Sequence, residues 1–164
     1  MNMYHLFSRK LISASISACL FVVVYALFVP SHWVHSYTSW IQYISHAWKA
    51  IPIYLMYAFP VILIYGTLTS LISEYLLYNL IKFTKINRQS RAIKILILGI
   101  LHLVFGLVLL YISLLAAFLF FLTDLWLAHK RRKYDLVLAL KSFLIPVCLF
   151  FICIGLIWFF DKTS

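Results

Sequence analysis

The sequence predicts an all-α fold, a polytopic transmembrane helical bundle, and three observations predict it. The 164 residues are 65% hydrophobic and only 11% charged, too apolar to give every element the polar face of a water-soluble domain. Four uncharged runs, at 11–29, 51–73, 95–123 and 142–160, contain 19 to 29 residues each. Each reaches the roughly 20 residues needed to cross a hydrocarbon core about 30 Å thick. The 14 Lys and Arg fall in clusters between those runs and face only 4 Asp and Glu. That arrangement writes membrane topology, so the net charge of +10 points to the bilayer and not to nucleic acid. Lipid-exposed backbone must satisfy its own hydrogen bonds, which makes each run a helix, and the short alternating strands of a transmembrane barrel are not present. Residues 1–164 therefore read as a single integral membrane domain.

The first run follows Arg9 and Lys10, as a signal peptide would, but it is long for one and ends in Val29-Pro30-Ser31-His32 without a small-residue cleavage site. It reads as a retained span. Ile16-Ser17-Ala18-Cys19 matches a lipobox, yet the strongest apolar stretch follows the cysteine instead of preceding it, which disfavours processing.

Residues 31–50 read as an interfacial amphipathic helix. Trp33, Tyr37, Trp40, Ile44 and Trp48 recur at helical spacing on one face, while His35, Ser39, Gln42, His46 and Lys49 recur on another. His32, His35 and His46 invite a metal site, but His46 lies about 16 Å beyond His35 along a continuous helix, so no metal is expected. No cofactor is expected either.

With four spans and the N-terminus inside, eight basic residues fall on the inner side and six on the outer. Five spans are the alternative. Folding the third run into a hairpin returns Lys130-Arg131-Arg132-Lys133 to the inside and changes the division to twelve against two. The turn would fall near Leu110-Tyr111-Ile112-Ser113, which lacks Gly, Pro and Asn, and arms of about 24 Å fall short of the core. Four spans are therefore expected, with a tilted third helix that brings Asp124, Trp126 and His129 to the outer headgroups.

Two polar residues stand out within the spans. Glu74 precedes Lys82 by eight residues and His102 follows Lys94 by eight, so a hairpin through the basic 82–94 segment sets them at equal depth. A charge at a span centre costs about 2.5–3.5 kcal/mol on insertion scales, which favours pairing Glu74 with His102. Around them, Gly66, Ser70 and Ser73 on the second span, and Gly99, His102, Gly106, Ser113, Ala116 and Thr123 on the third, form small and polar stripes. Such stripes let helix backbones approach closely in lipid. Cys19, Cys148 and Cys153 all lie within spans and offer no outer-loop disulfide. Pro146 and Gly155 are expected to kink or thin the fourth span.

No nucleophile elbow, zinc-protease, phosphate-loop, dinucleotide or C-x-x-C motif occurs, and the acidic residues at 74, 124, 135 and 161 form no obvious acid–base pair. An enzyme is not expected.

The passage from Ser8-Arg9-Lys10 into the first span and Pro30, with Phe59-Pro60-Val61, Tyr65-Gly66-Thr67-Leu68-Thr69-Ser70 and Ser73-Glu74, resembles a family of small multi-pass membrane proteins of unknown function from spore-forming Gram-positive bacteria. The resemblance covers most of the chain. It implies a polytopic plasma-membrane protein and brings no activity, ligand or catalytic residue. The expected role is a non-enzymatic interaction or accessory protein of the cytoplasmic membrane, with the N-terminus in the cytoplasm. Its expected partners are the bilayer, anionic lipid, and a second copy or another membrane protein. The alternative is an oligomeric transporter or channel component that uses Glu74 and His102.

Overall fold

The computed structural model describes residues 3–30, 38–84, 91–107, 111–130 and 134–163. Among them the ordered elements are helices: α1 (Met3–Phe28), α2 (Trp40–Val61), a π-helical turn (Ile62–Gly66), α3 (Thr67–Thr84), α4 (Arg91–Leu107), α5 (Tyr111–His129), α6 (Leu136–Ser142) and α7 (Leu144–Thr163). Four stretches are long and apolar enough to cross a membrane: Tyr4–Phe28, Trp40–Lys82, Ile112–His129 and Leu136–Phe159. Ala92–Leu107 is a shorter apolar helix beside them. The all-α membrane bundle expected from run length is the observed architecture.

Residues 40–50 are helical, as their periodicity predicts, but not as the separate interfacial helix expected over 31–50: α2 runs unbroken from Trp40 to Val61, so this segment is the first part of the second span. Ser39 caps this helix with extended backbone, and its hydroxyl accepts from the Gln42 amide. The Gln42 side-chain oxygen in turn accepts from the amide and hydroxyl of Thr38, a reciprocal arrangement that closes the exposed end. Trp40, Ile41 and Ile44 are exposed, whereas Ala47 and Ala50 are buried. Residues 31–37, including Trp33, His32 and His35, lie outside the described residues.

The second span continues through Pro52 and Pro60 as α2, the π turn and α3. Proline lacks an amide proton and its ring crowds the carbonyl one turn back. Two residues after Pro60 the register widens into the π turn, which ends at Gly66. The fourth run begins earlier than its expected start at 142. α6 and α7 form one apolar stretch broken only at Phe143, where Pro146 leaves the Ser142 carbonyl without its helical donor. Gly155 meets nothing within 4 Å on its side-chain face.

Successive passes are antiparallel. Tyr25 of α1 packs on Tyr54 of α2 at one end, and Arg9 bonds Glu74 at the other. Ser70 of α3 bonds His102 of α4, and the Tyr65 hydroxyl donates to the Phe105 carbonyl. α6 lies along α1, with Ser142 bonded to Ser15, and α7 packs Val147 and Phe150 near Pro60 and Leu55 of α2. The upper interior is apolar, built from Ala18, Phe21, Val22, Ala26, Ile51, Leu55, Ile62, Phe120 and Cys153.

The expected single third span at 95–123 is corrected. The chain leaves α4 at Leu107 and returns as α5 from Tyr111, with Gly99 against the Phe121 ring and Gly106 against Ala117. The stripe read along one straight helix is a seam that closes on itself, small residues of the first half meeting the second half. α4 and α5 extend to Arg91 and His129, so the arms are about 25 and 28 Å long and reach further than the uncharged run alone suggests. What drives the fold-back is Asp124, which sits at the Arg9 end of the bundle and not at the opposite headgroups.

Two outcomes follow from this seam. A methyl group added at Gly106 would lie 2.8 Å from the Ala117 Cβ. Gly106→Val is therefore expected to lower stability by about 1–3 kcal/mol in detergent unfolding titrations, while Gly155→Val is close to neutral on packing grounds. Single cysteines placed at 88 and 132, in a chain with its native cysteines replaced, should label from the same side of a vesicle, and cysteines at 40 and 163 from the other. Labelling of 88 and 132 from opposite sides would sink the hairpin.

Candidate functional site

The candidate site is a quartet of charges inside one end of the bundle. Arg9 and Lys10 come from the second turn of α1, Glu74 from α3 and Asp124 from the last turns of α5. Consecutive residues on a helix point about 100° apart, so Arg9 and Lys10 approach the two carboxylates from different sides. Lys10 Nζ lies 2.5 Å from Glu74 Oε1 and 2.6 Å from Asp124 Oδ2. Arg9 donates through Nη2 to Glu74 Oε1 at 2.7 Å and through Nε to Asp124 Oδ1 at 2.9 Å. Its Nη2 also lies 3.4 Å from Asp124 Oδ2, so the Asp124 carboxylate is held in a fork. The Lys10 side chain is fully buried, Asp124 is 3% exposed, and Glu74 and Arg9 are 13% and 17% exposed. Two positive and two negative groups thus bring no net charge into the interior.

Above the quartet the interior stays polar for two helical turns. Ser13 donates to the Arg9 carbonyl at 3.0 Å and lies 3.3 Å from Asp124 Oδ1. Thr123 donates to the carbonyls of Leu119 and Phe120, and Ser73 to that of Thr69. Ser8, Ser13, Ser15, Ser17, Ser70 and Ser73 are all buried, most of them with no exposed surface. The Thr67 hydroxyl is buried with no hydrogen-bond partner.

Glu74 and His102 are brought to neighbouring turns of one seam, but the expected pairing between them is replaced. Glu74 binds Arg9 and Lys10 because a formal opposite charge outcompetes a neutral imidazole in a low-dielectric interior. His102 instead bonds Ser70, one turn from Glu74: Nε2 lies 3.0 Å from the Ser70 hydroxyl and Nδ1 lies 2.8 Å from the Leu98 carbonyl. Its ring lies between Phe120 and Phe121 and is 4% exposed. A cavity of about 50 Å³ adjoins it, walled by the π turn, α3, α4 and α5 through Ile62, Gly66, Thr69, Gly106, Ala116 and Phe120. Gly66 holds the π turn against Phe120, where an added Cβ would lie 3.1 Å from the ring.

Arg9, Lys10 and Asp124 were missed as site residues because the sequence assigns them to span ends. One signal was available: two acidic residues in or beside spans need two cations at their own depth, and the first span begins with two.

In a buried pair the attraction offsets a large desolvation cost, and removing one member leaves its partner charged in an apolar surrounding. Asp124→Ala should therefore lose about 3–5 kcal/mol in detergent unfolding titrations. Lys10→Met combined with Asp124→Leu should recover much of the loss, because both charges leave together. Additive losses in the double variant would contradict the quartet. Comparison of the chain with known protein families, with characterised proteins and with solved structures finds no match.

Proposed function

We propose that this membrane protein is a non-enzymatic accessory or interaction protein of the bacterial cytoplasmic membrane, with its N-terminus on the cytoplasmic side. The observation that carries the reading is the quartet. Arg9, Lys10, Glu74 and Asp124 spend their charges on one another across α1, α3 and α5, which makes them a lock between helices. Charges so engaged stabilise a fixed arrangement of the outer helix faces, the surfaces that a membrane partner or a second copy would meet. Those faces are apolar and aromatic, with Met56, Tyr57 and Ile64 exposed on the second pass and Phe151, Trp158 and Phe159 on α7. Orientation is supported by charge: with α4 and α5 as a hairpin, the basic residues divide twelve to two in favour of the N-terminal side. On that side Lys130, stacked on Trp126 at 3.7 Å, and its basic neighbours in sequence suit anionic lipid headgroups.

A transporter or channel component is the second reading, favoured by one observation, the cavity against His102. Affinity purification in mild detergent and flux measurements on reconstituted vesicles separate the two. The accessory role is expected to yield a distinct co-purifying membrane protein and vesicles whose proton and potassium permeability equals that of protein-free controls. Flux that rises with protein content and falls in His102→Ala would replace it with the second reading.

A further inference from the structure

The geometry points to His102 as a proton-binding site loaded from the quartet end of the bundle, with Ser70 handing it the proton. The Leu98 carbonyl, 2.8 Å from Nδ1, can only accept, so Nδ1 carries the hydrogen of the neutral ring. That leaves Nε2 with a free lone pair, and the group facing it at 3.0 Å is the Ser70 hydroxyl, which donates to it. Ser70 has no exposed surface, and its oxygen retains lone pairs for a further donor. One turn away toward the bundle end, Glu74 is the most exposed of the two quartet carboxylates, at 13%. One turn the other way, the buried Thr67 hydroxyl has no hydrogen-bond partner.

Thr67, Ser70 and Glu74 share one face of α3 at positions i, i+3 and i+7. Ser17, Ser13 and Arg9 form the matching file on α1. The two files together make a polar track about 12 Å long from the charged end to the interior. In the transfer, the Ser70 O–H bond breaks as Nε2–H forms, and the serine oxygen takes a replacement proton from a hydronium ion entering at the Glu74 end, which leaves as water. The net change is one proton moved from hydronium to the imidazole. The charged groups that act on His102 are Lys10 of α1, Glu74 of α3 and Asp124 of α5, and the Tyr65 phenol of the π turn shares its cavity. Beyond His102 the cavity is walled by Val61, Ile62, Ala116, Ala117 and Phe120 and by Tyr65, Thr69 and Ser113, whose hydroxyls donate to the carbonyls of Phe105, Tyr65 and Gly106. Proton binding at His102 requires no proton flux across the membrane. It rests on the membrane-embedded fold alone and holds whether or not a protein partner is found.

The test is nitrogen NMR of the full chain, with labelled histidine, in lipid nanodiscs between about pH 8 and 5, His102 being assigned by its loss in His102→Gln. Both ring nitrogens of His102 should become protonated, reversibly, within that range. Exchange of the Nε2 proton with water should slow on the order of a hundredfold in Ser70→Ala and keep the wild-type rate in Ser70→Thr. If Ser70→Ala fails to fold, Ser70→Cys, with its weak donor of similar size, should show the same slowing. A His102 ring that stays neutral to pH 5, or equal exchange rates in wild type and in the hydroxyl-deleted chain, overturns the proposal.

Discussion

Charge that cannot be left alone in hydrocarbon organises this bundle. Arg9 and Lys10 enter on α1, and the first span is stable at that depth only when carboxylates arrive beside them. Glu74 is delivered by the second pass and Asp124 by the return of the α4–α5 hairpin, so three segments far apart in sequence must meet at one level. The separation of Arg9 and Asp124, 115 positions, makes the quartet a tertiary contact and not a local one. Antiparallel registers elsewhere follow from it: with Arg9 opposite Glu74, Tyr25 falls opposite Tyr54, where the two rings meet edge to face.

The interior is divided along the membrane normal. Toward the quartet it is filled by hydroxyls, an imidazole and ion pairs; toward the other end, by alanine, branched aliphatics and aromatic rings. Helical hydroxyls that bond to carbonyls three or four residues back, as Ser13, Ser17, Thr69, Ser73 and Thr123 do, satisfy themselves within their own helix. They therefore line a polar track without requiring partners across it. Ser13 also reaches Asp124 of α5, and Ser70 bonds His102 of α4, so these two hydroxyls join helices as well. The π turn after Pro60 adds width at this level, and Gly66 and Gly106 keep neighbouring backbones close around the cavity.

The hairpin shows how a pattern with the right residues can support the wrong geometry. Gly99, His102, Gly106, Ser113 and Ala116 share a face on a straight helix, and the uncharged length of 95–123 permits such a helix. The same residues suit a fold-back, because small groups on each arm accept the other: Gly99 takes Phe121 and Gly106 takes Ala117. Periodicity does not choose between them. The energy of pairing Asp124 does, and that term depends on where Arg9 lies. The nearness in depth of Glu74 and His102 was readable in the same way, but the structure sets His102 level with Ser70, one turn from Glu74; their partners were not readable, because competition with two cations lies outside the local sequence.

The sequence by itself determined that the chain is helical and belongs in a bilayer, where its apolar runs lie, and which few polar residues are unusual within them. These are consequences of composition and of the hydrogen-bonding demand of a backbone in lipid, and each is local to its segment. Tertiary structure alone decided that the third run folds back, that Arg9 and Lys10 close with Glu74 and Asp124, and that Ser70 serves His102. Those outcomes depend on electrostatics and packing between residues 11 to 115 positions apart, where strength is set by distance and burial in three dimensions and not by spacing along the chain.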